Sequence, residues 1–252
     1  MIDTHIHLYS EKYDHDRGEV IRRAQDAGVK YFLNPAIDSS YTEAMLKLQA
    51  EYPDCIRIMS GVHPTSVKEN YTGELAHAEA LLEKHSCIAV GEIGMDLYWD
   101  TSRLAEQKDA FRVQLRWAKQ LDLPVSIHTR DAFDEVFSIL EEEQDGRLRG
   151  VMHCFTGTHE QARQGIRLGL HLGIGGVVTF KNGRIDRFLP DIDPEYLVLE
   201  TDGPYLAPTP YRGKRNEPAY LNLIVEKLAA IYGIPAREII RITSENAGKI
   251  FF

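Results

Sequence analysis

Short apolar segments rich in isoleucine, valine and leucine recur eight times along the 252 residues of this chain. They span residues 2–8, 31–37, 55–62, 87–93, 124–128, 150–155, 170–178 and 196–200. Segments with helical periodicity separate them, at residues 19–27, 41–51, 75–85, 104–121, 132–143, 159–168 and 222–232. Apolar strands that alternate with amphipathic helices are typical of a parallel sheet covered by helices. Eight such units favour closure into a (β/α)8 barrel, and the chain has the usual length of one barrel.

An open, doubly wound sheet is the alternative fold for the same alternation. Such sheets often carry a G-x-G-x-x-G or Walker-type loop after a strand, and none follows the eight apolar segments. The glycines Gly173, Gly175 and Gly176 lie inside an apolar segment and do not open a helix. We therefore predict a single α/β domain over residues 1–252, folded as a TIM barrel of parallel strands with outer helices.

The composition indicates the class of protein, its expected cellular location and the kind of ligand that its charge disfavours. Hydrophobic residues make up 43% and charged residues 27% of the chain, the balance of a globular protein with a substantial core. The sequence shows neither a basic leader nor an apolar stretch long enough to span a membrane, so we expect a cytoplasmic protein without membrane contact. The net charge of −9 disfavours tight, sequence-independent binding of long duplex DNA, because such binding needs many contacts from Lys and Arg to phosphate.

Polar residues of the types that bind metals stand at the ends of most apolar segments. They are Asp3, His5, His7, His63, Glu92, His128, His153 and Asp202. The carboxyl ends of the strands of a (β/α)8 barrel meet at one mouth, where the active sites of this fold lie. The sequence therefore predicts that these side chains meet at one site.

Three of these positions carry further signals. Side chains alternate along a strand, so His5 and His7 point to the same side and can chelate one ion. Glu92 interrupts an apolar segment, where an isolated carboxylate would be costly, and a bridging metal ligand explains it. Asp202 ends the eighth segment at a sharp turn, and the sequence leaves open whether it is a ligand, a general base, both, or a turn-forming residue.

Together these motifs resemble the TatD family of metal-dependent deoxyribonucleases, within the amidohydrolase-like barrels. The matching strings are IDTHIHL (2–8), GVHP (61–64), VGEIGMD (90–96), SIHTR (126–130), VMHCFTG (151–157), LETDGPYLAP (199–208) and RGKRNEP (212–218), together with Asn246. They occur in the order typical of the family and cover nearly the whole chain. Gly203 and Met95 stand where the family often has Ala or Ser and Leu, and neither difference removes a ligand.

The resemblance implies two divalent metal ions. His5 and His7 would hold the first ion, His128 and His153 would complete the second, Glu92 would bridge them, and Asp202 would touch the first ion and the attacking water. Glu92 and Asp202 are accordingly the expected catalytic residues. The ligand set suits Zn, Mn, Fe or Ni, whereas Mg prefers oxygen ligands. Because family members are usually assayed with Mg, we expect activity with Mg or Mn and retention of Zn, Fe or Ni.

The family implies hydrolysis of DNA phosphodiesters from a 3′ end, so we expect single-stranded DNA or 3′ ends as the partner and no obligate protein partner. The expected substrate-binding residues are His63, Arg130, Tyr205, Arg212, Lys214 and Arg215. Their cations can contact phosphates, and Tyr205, Tyr211 and Trp99 could stack on bases or simply pack within loops.

The main alternative is an amidohydrolase-type enzyme that hydrolyses a small-molecule amide, lactone or phosphoester. The same barrel with an H-x-H pair serves such enzymes, and a fold does not determine a function. Many of them bridge their metals with a carboxylated strand lysine, whereas residues 87–96 contain no lysine and offer Glu92. This difference favours the nuclease group without establishing it. A metal-binding protein without catalysis is a third interpretation that the sequence leaves open.

Overall fold

The computed structural model describes all 252 residues. Eight parallel strands form one sheet, in which each strand pairs with the next along the chain. The strands are β1 (Ile2–Asp3), β2 (Tyr31–Asn34), β3 (Ile56–Ser60), β4 (Ala89–Asp96), β5 (Val125–Arg130), β6 (Gly150–Met152), β7 (Leu170–Ile174) and β8 (Leu197–Leu199). The amide of Asp202 donates to the carbonyl of His5 at 2.9 Å, and the amide of His7 donates to the carbonyl of Gly203 at 2.8 Å. These bonds join the two ends of the sheet, and the predicted TIM barrel is confirmed.

Eight α-helices surround the sheet. They are α1 (Arg17–Asp26), α2 (Thr42–Glu51), α3 (Tyr71–Lys84), α4 (Leu104–Leu121), α5 (Phe133–Glu143), α6 (His159–Arg167), α7 (Leu221–Tyr232) and α8 (Ala236–Phe251). The first seven match predicted helices. Helix α8 was not predicted, although Ile239, Thr243, Ala247 and Ile250 recur at helical spacing and are all buried. No helix in the structure combines the length and the hydropathy required to cross a membrane.

Six of the eight strands are shorter than the predicted segments, and the first and seventh differ most. The segment 2–8 was expected to be one strand, but β1 ends at Asp3 and Ile6 continues only as a single bridge to Gly203. The backbone there still bonds to both neighbours, since the amide of Ile6 donates to the carbonyl of Leu33 at 3.0 Å. In the seventh segment, β7 ends at Ile174 and a 3-10 turn follows. The irregular backbone lies at the carboxyl ends of the strands, where the polar side chains gather.

The apolar core lies mainly between the strands and the helices, where 55 buried residues form one cluster. A second cluster of eight buried residues includes Leu33, Met59 and Val198 from the sheet and Phe251 from α8. Residues at the starts of strands, such as Ile2, pack against this second cluster. Helix α8 therefore covers the amino-terminal end of the barrel and leaves the carboxyl-terminal mouth open for a site.

Candidate metal centre

The polar side chains that were predicted to meet do so at the carboxyl-terminal mouth of the barrel. A cleft of about 490 Å³ opens there. Its walls include His7, His63, Glu92, His128, His153 and Asp202. His5 lies beneath them and is fully buried.

Glu92 stands at the centre of these side chains, with five histidines around its carboxylate. Its Oε2 atom faces Nε2 of His5 at 3.2 Å and Nε2 of His7 at 3.7 Å. Its Oε1 atom faces Nδ1 of His128 at 2.8 Å, Nε2 of His63 at 3.3 Å and Nε2 of His153 at 3.4 Å. The two carboxylate oxygens thus divide the histidines into two groups.

The backbone of β4 places Glu92 in this position. Gly91 pairs with Ser126 and Ile93 pairs with the next residue of β5, so Glu92 occupies a bulge with no partner opposite it. Two residues later, Gly94 adopts a φ of +133°, and a Cβ atom there would collide with the backbone of His128. Glycine at position 94 therefore allows β4 and β5 to approach closely where both carry site residues.

His5, His7 and Asp202 form one part of the site. Nδ1 of His7 lies 2.7 Å from the hydroxyl of Tyr9, which itself donates to a backbone carbonyl. The hydroxyl must therefore accept from Nδ1–H, which leaves the lone pair of His7 on Nε2. Nδ1 of His5 lies 3.1 Å from the hydroxyl of Ser126. Oδ1 of Asp202 lies 3.7 Å from Nε2 of His7 and 4.0 Å from Nε2 of His5.

His153 is oriented by a buried carboxylate that the sequence analysis did not single out. Its Nδ1 lies 3.1 Å from Oε1 of Glu200, and the same oxygen accepts the backbone N–H of Cys154. Gly173 leaves the space for Glu200, because a Cβ atom there would collide with its carboxylate. A carboxylate that accepts from one ring nitrogen of histidine directs the other toward a metal. The available signal was the same as for Glu92, an acidic residue at the end of an apolar segment.

His128 is oriented by a second carboxylate that was not predicted to act, Asp96. Nε2 of His128 lies 3.0 Å from Oδ2 of Asp96, so its Nδ1 atom faces Glu92. The other oxygen of Asp96 accepts the backbone N–H groups of Tyr98 and Trp99 at 3.0 and 3.1 Å. One carboxylate therefore links this histidine to the loop after β4.

His63 differs from the other histidines of the site. Its Nδ1 atom accepts the backbone N–H of Thr65 at 3.2 Å, and the hydroxyl of Thr65 lies 2.6 Å from the same atom. With Nδ1 acting as an acceptor, the proton of the neutral ring resides on Nε2, which faces Glu92. His63 is therefore arranged as a hydrogen-bond donor toward Glu92 at the wall of the cleft.

Burial and charge shift the acidities of these groups in opposite directions. Burial would raise the pKa of Glu92, but His63, His5 and His153 outweigh it and hold the pKa well below its usual range. Burial raises the pKa of Asp202 to about 7 and lowers the pKa of His7 to about 4. Burial also opposes protonation of His153, but the charges of Glu200 and Glu92 raise its pKa to about 10. The site thus concentrates groups whose charge depends on a partner.

The residues present fit a divalent metal ion. Nε2 of His5 is buried and makes no hydrogen bond, although Oε2 of Glu92 lies 3.2 Å away, and this is costly for a polar atom unless it binds something else. Three sets of ligand atoms lie within 4.8 Å of one another. The sets are His5, His153 and Asp202; His5, His7 and Glu92; and His63, Glu92 and His128. Imidazole and carboxylate are ligand types that transition metals and zinc prefer.

The structure brings only some of the predicted substrate-binding residues to the cleft. His63, Arg130 and Tyr205 line it. The sequence analysis did not identify Lys12, whose ammonium group lies 4.5 Å from the ring centre of Tyr205, and no motif around Lys12 signals this contact.

Arg212, Lys214 and Arg215 do not line the cleft. The guanidinium of Arg212 lies 4.1 Å from the ring centre of Phe180, and the ammonium of Lys214 lies 6.0 Å from that of Tyr211. Arg215 forms ion pairs with Asp16 at 2.7 Å and with Glu217 at 2.9 Å, so two carboxylates already neutralise its charge. A substrate role for these three cations stays a prediction.

Comparisons with known proteins match this chain over its whole length. Residues 2–252 match the model of the family described as TatD related DNase. A Bacillus subtilis protein, the "uncharacterized metal-dependent hydrolase YabD", is 39% identical, and the match covers 100% of this chain and 98% of that protein. The "3'-5' ssDNA/RNA exonuclease TatD" of Cronobacter sakazakii is 36% identical, with coverage of 100% and 97%.

A solved structure shows the same likeness in three dimensions. The crystal structure of YJJV, a TatD homologue from Escherichia coli K12, superposes with a TM-score of 0.92 at 29% identity, covering 100% of this chain and 97% of that chain. The family match and these relatives agree with the residues gathered around Glu92. The chain belongs to the TatD family and is a metal-dependent hydrolase.

Proposed function

We propose that this protein is a nuclease that removes nucleotides from the 3′ end of single-stranded DNA, and that residues 1–252 act as one domain. The division of the histidines between the two oxygens of Glu92 carries the proposal. Oε2 faces His5 and His7, whereas Oε1 faces His128 and His153. A carboxylate that serves two sets of imidazoles is suited to bridge two ions, and phosphoester hydrolysis commonly uses such pairs. Relatives named 3'-5' ssDNA/RNA exonuclease support the same substrate class.

Two divalent cations would be held by the predicted ligands. By proximity to the two oxygens of Glu92, these are His5, His7 and Asp202 for one ion, His128 and His153 for the other, and Glu92 for both. When bound, such a pair of cations activates water and stabilises the charge that develops on the phosphoryl group. We expect Mg or Mn to support turnover and Zn, Fe or Ni to be retained, because four imidazoles favour softer ions than Mg.

Other functions, orienting the water and binding phosphate, fall to side chains of the cleft. Asp202 is positioned to orient the attacking water and accept its proton, because its carboxylate lies beside His7 at the wall of the cleft. Nε2–H of His63 faces Glu92 at the wall of the cleft, where it can also donate to a phosphate oxygen. Arg130 lies at the rim, where its guanidinium can bind a neighbouring phosphate.

The test is hydrolysis of a single-stranded oligonucleotide by metal-stripped protein after addition of Mg²⁺, Mn²⁺ or Zn²⁺. We expect metal-dependent loss of nucleotides from the 3′ end, seen with both 3′-labelled and 5′-labelled strands, and no cleavage by Asp202→Asn. The matched control is Asp134→Asn, which changes an exposed aspartate in the first turn of α5. Failure to cleave with any metal, together with hydrolysis of a lactone, amide or simple phosphoester, would replace this proposal with the small-molecule alternative.

A further inference from the structure

Two aromatic side chains beside the metal centre are largely exposed to solvent. Tyr98 is 54% exposed and Trp99 is 68% exposed, in the loop between β4 and α4. The chain contains two tryptophans, and the other, Trp117, is buried in the core. Because a large apolar side chain gains stability from burial, an indole held in solvent at the edge of a cleft is a candidate for contact with a ligand.

The loop that carries these aromatics is held at the site. Asp96 accepts the backbone N–H groups of Tyr98 and Trp99 through one oxygen and binds Nε2 of His128 through the other. Trp99 also lines the same cleft as His128. The backbone at Trp99 is therefore tied to a predicted metal ligand, and its indole lies at the cleft.

Arg130 completes the arrangement and determines which aromatic face is available. Its guanidinium carbon lies 3.7 Å from the ring centre of Tyr98 and 5.4 Å from that of Trp99. The rings of Tyr98 and Trp99 are 5.0 Å apart and nearly perpendicular, at 88°. Arg130 thus covers a face of Tyr98, while the indole stays 68% exposed. No carboxylate lies within ion-pair distance of Arg130, so its charge is available to an anion.

We propose that Trp99, Tyr98 and Arg130 form a subsite in which the indole stacks on one unpaired nucleobase and the guanidinium binds the adjoining phosphate. This inference rests on the proposed nuclease function and adds what the subsite recognises. An aromatic face binds any base with little sequence preference, and a guanidinium matches a phosphate in charge and geometry. In a duplex the base is paired and stacked on its neighbours, so the subsite favours a single strand or a frayed end.

Fluorescence tests the stacking directly, without turnover. In a Trp117→Phe variant, Trp99 is the remaining indole, and treatment with EDTA prevents cleavage. We expect a thymidine tetranucleotide to quench its emission, and an abasic tetranucleotide with the same phosphates to quench it much less. Equal quenching by the two ligands, or none by either, would overturn the inference.

Kinetics with the metal-loaded enzyme provide the second test. Trp99→Ala should lower kcat/KM for the thymidine strand by roughly 5- to 100-fold, the value of one lost base stack, and leave the abasic strand within about twofold. Tyr196→Ala removes an exposed aromatic just before β8, at the opposite end of the barrel, and should change neither value.

The two tests separate the subsite from the nuclease activity. An equal fall for both strands would assign Trp99 to the stability of the loop and overturn the stacking. If the unmodified protein cleaves no strand with any metal, the proposed function fails, and the quenching experiment alone then decides whether the indole stacks on bases.

Discussion

The two sides of the metal centre are built differently. On the closed side, which we define as His5, His7, His153 and Asp202, the three histidines are buried and each Nε2 faces Glu92. On the open side, which we define as His63, His128 and Arg130, the two histidine side chains keep 13% and 17% of their surface exposed, against 0% to 6% for the three histidines of the closed side.

The difference in burial indicates that the two sides contribute differently to metal binding and substrate binding. The rings of the closed side are fixed by buried partners, the hydroxyls of Ser126 and Tyr9 and the carboxylate of Glu200. Rigid ligands favour tight metal binding, because little conformational freedom is lost when the ion binds. The open side reaches solvent and the aromatic loop, where a substrate must enter. We therefore expect changes on the closed side to affect metal affinity alone, and changes on the open side, which holds the proposed ligand His128, to affect substrate binding as well.

The largest effect should come from Glu92, which serves both sides. Glu92→Gln should lower turnover by roughly a thousandfold or more, since it removes the shared ligand and with it several kcal/mol of transition-state stabilisation. The fold should persist, because the substitution also removes a buried charge. Turnover, circular dichroism and bound metal per chain are the measurements. Glu79→Gln, at an exposed position of α3, is the control. A folded Glu92→Gln protein with normal turnover would disprove the assignment.

Substitution of His63 tests whether every histidine of the open side binds metal. Because its Nδ1 accepts from Thr65, we expect it to donate to substrate and not to bind metal. His63→Ala should reduce turnover by about 100-fold, typical for a lost proton donor, with bound metal unchanged. His128→Ala, the matched change on the same side, should lower both. Loss of metal from His63→Ala would instead make His63 a ligand, in line with its place among the clustered ligand atoms.

The sequence predicted the barrel because its signals are local. Each apolar segment and helical period is visible within about ten residues, and polar residues at segment ends must meet once the strands align. The gathering of His5, Glu92 and His153 at one place required nothing more. Tertiary partners were harder to predict. Glu200 lies 47 residues from His153, and their contact depends on the order of three neighbouring strands.

Arg215 shows the opposite difficulty. It was predicted to bind substrate because it stands in a motif with other cations, and this role stays a prediction, but its ion-pair partner Asp16 is 199 residues away. No local pattern reveals that this pair forms. Trp99 is similar, since the sequence could not distinguish loop packing from exposure, and the structure leaves its indole mostly in solvent.

Two buried carboxylates, one behind each side, test whether metal affinity and substrate binding can be changed separately. Glu200→Gln should weaken metal affinity by about 10- to 100-fold, because it alters the group that orients His153. At saturating metal, its KM for an oligonucleotide should stay unchanged. Asp96→Asn should also lower the metal affinity, because Asp96 contacts His128. In addition it should raise KM, because Asp96 anchors the loop of Trp99. Competition with a chromogenic chelator measures affinity. If Glu200→Gln raises KM as much as Asp96→Asn does, the division into two sides is wrong.

The smallest effect concerns Asp202 on the closed side and appears in stability. Burial raises its pKa from 3.8 to about 7 in the metal-free protein. A folded-state pKa above the unfolded value adds stability below about pH 4, and this contribution is lost as the pH rises toward 7. Asp202→Asn does not titrate, so without metal its Tm advantage over the unmodified protein should grow by roughly 5 °C between pH 5 and pH 7.

With bound metal, the unmodified protein should have the higher Tm of the two proteins. A bound cation favours the ionised carboxylate, so the unmodified protein gains stability from Zn²⁺ as the pH rises, whereas Asp202→Asn gains less because it has lost a ligand. Thermal melts at pH 5, 6 and 7, with EDTA and with saturating Zn²⁺, measure both trends. The comparison between the two proteins cancels the titrating groups that do not interact with Asp202. A Tm difference that is independent of pH in EDTA and unchanged by Zn²⁺ would place Asp202 outside the metal centre and leave the closed side with histidines alone.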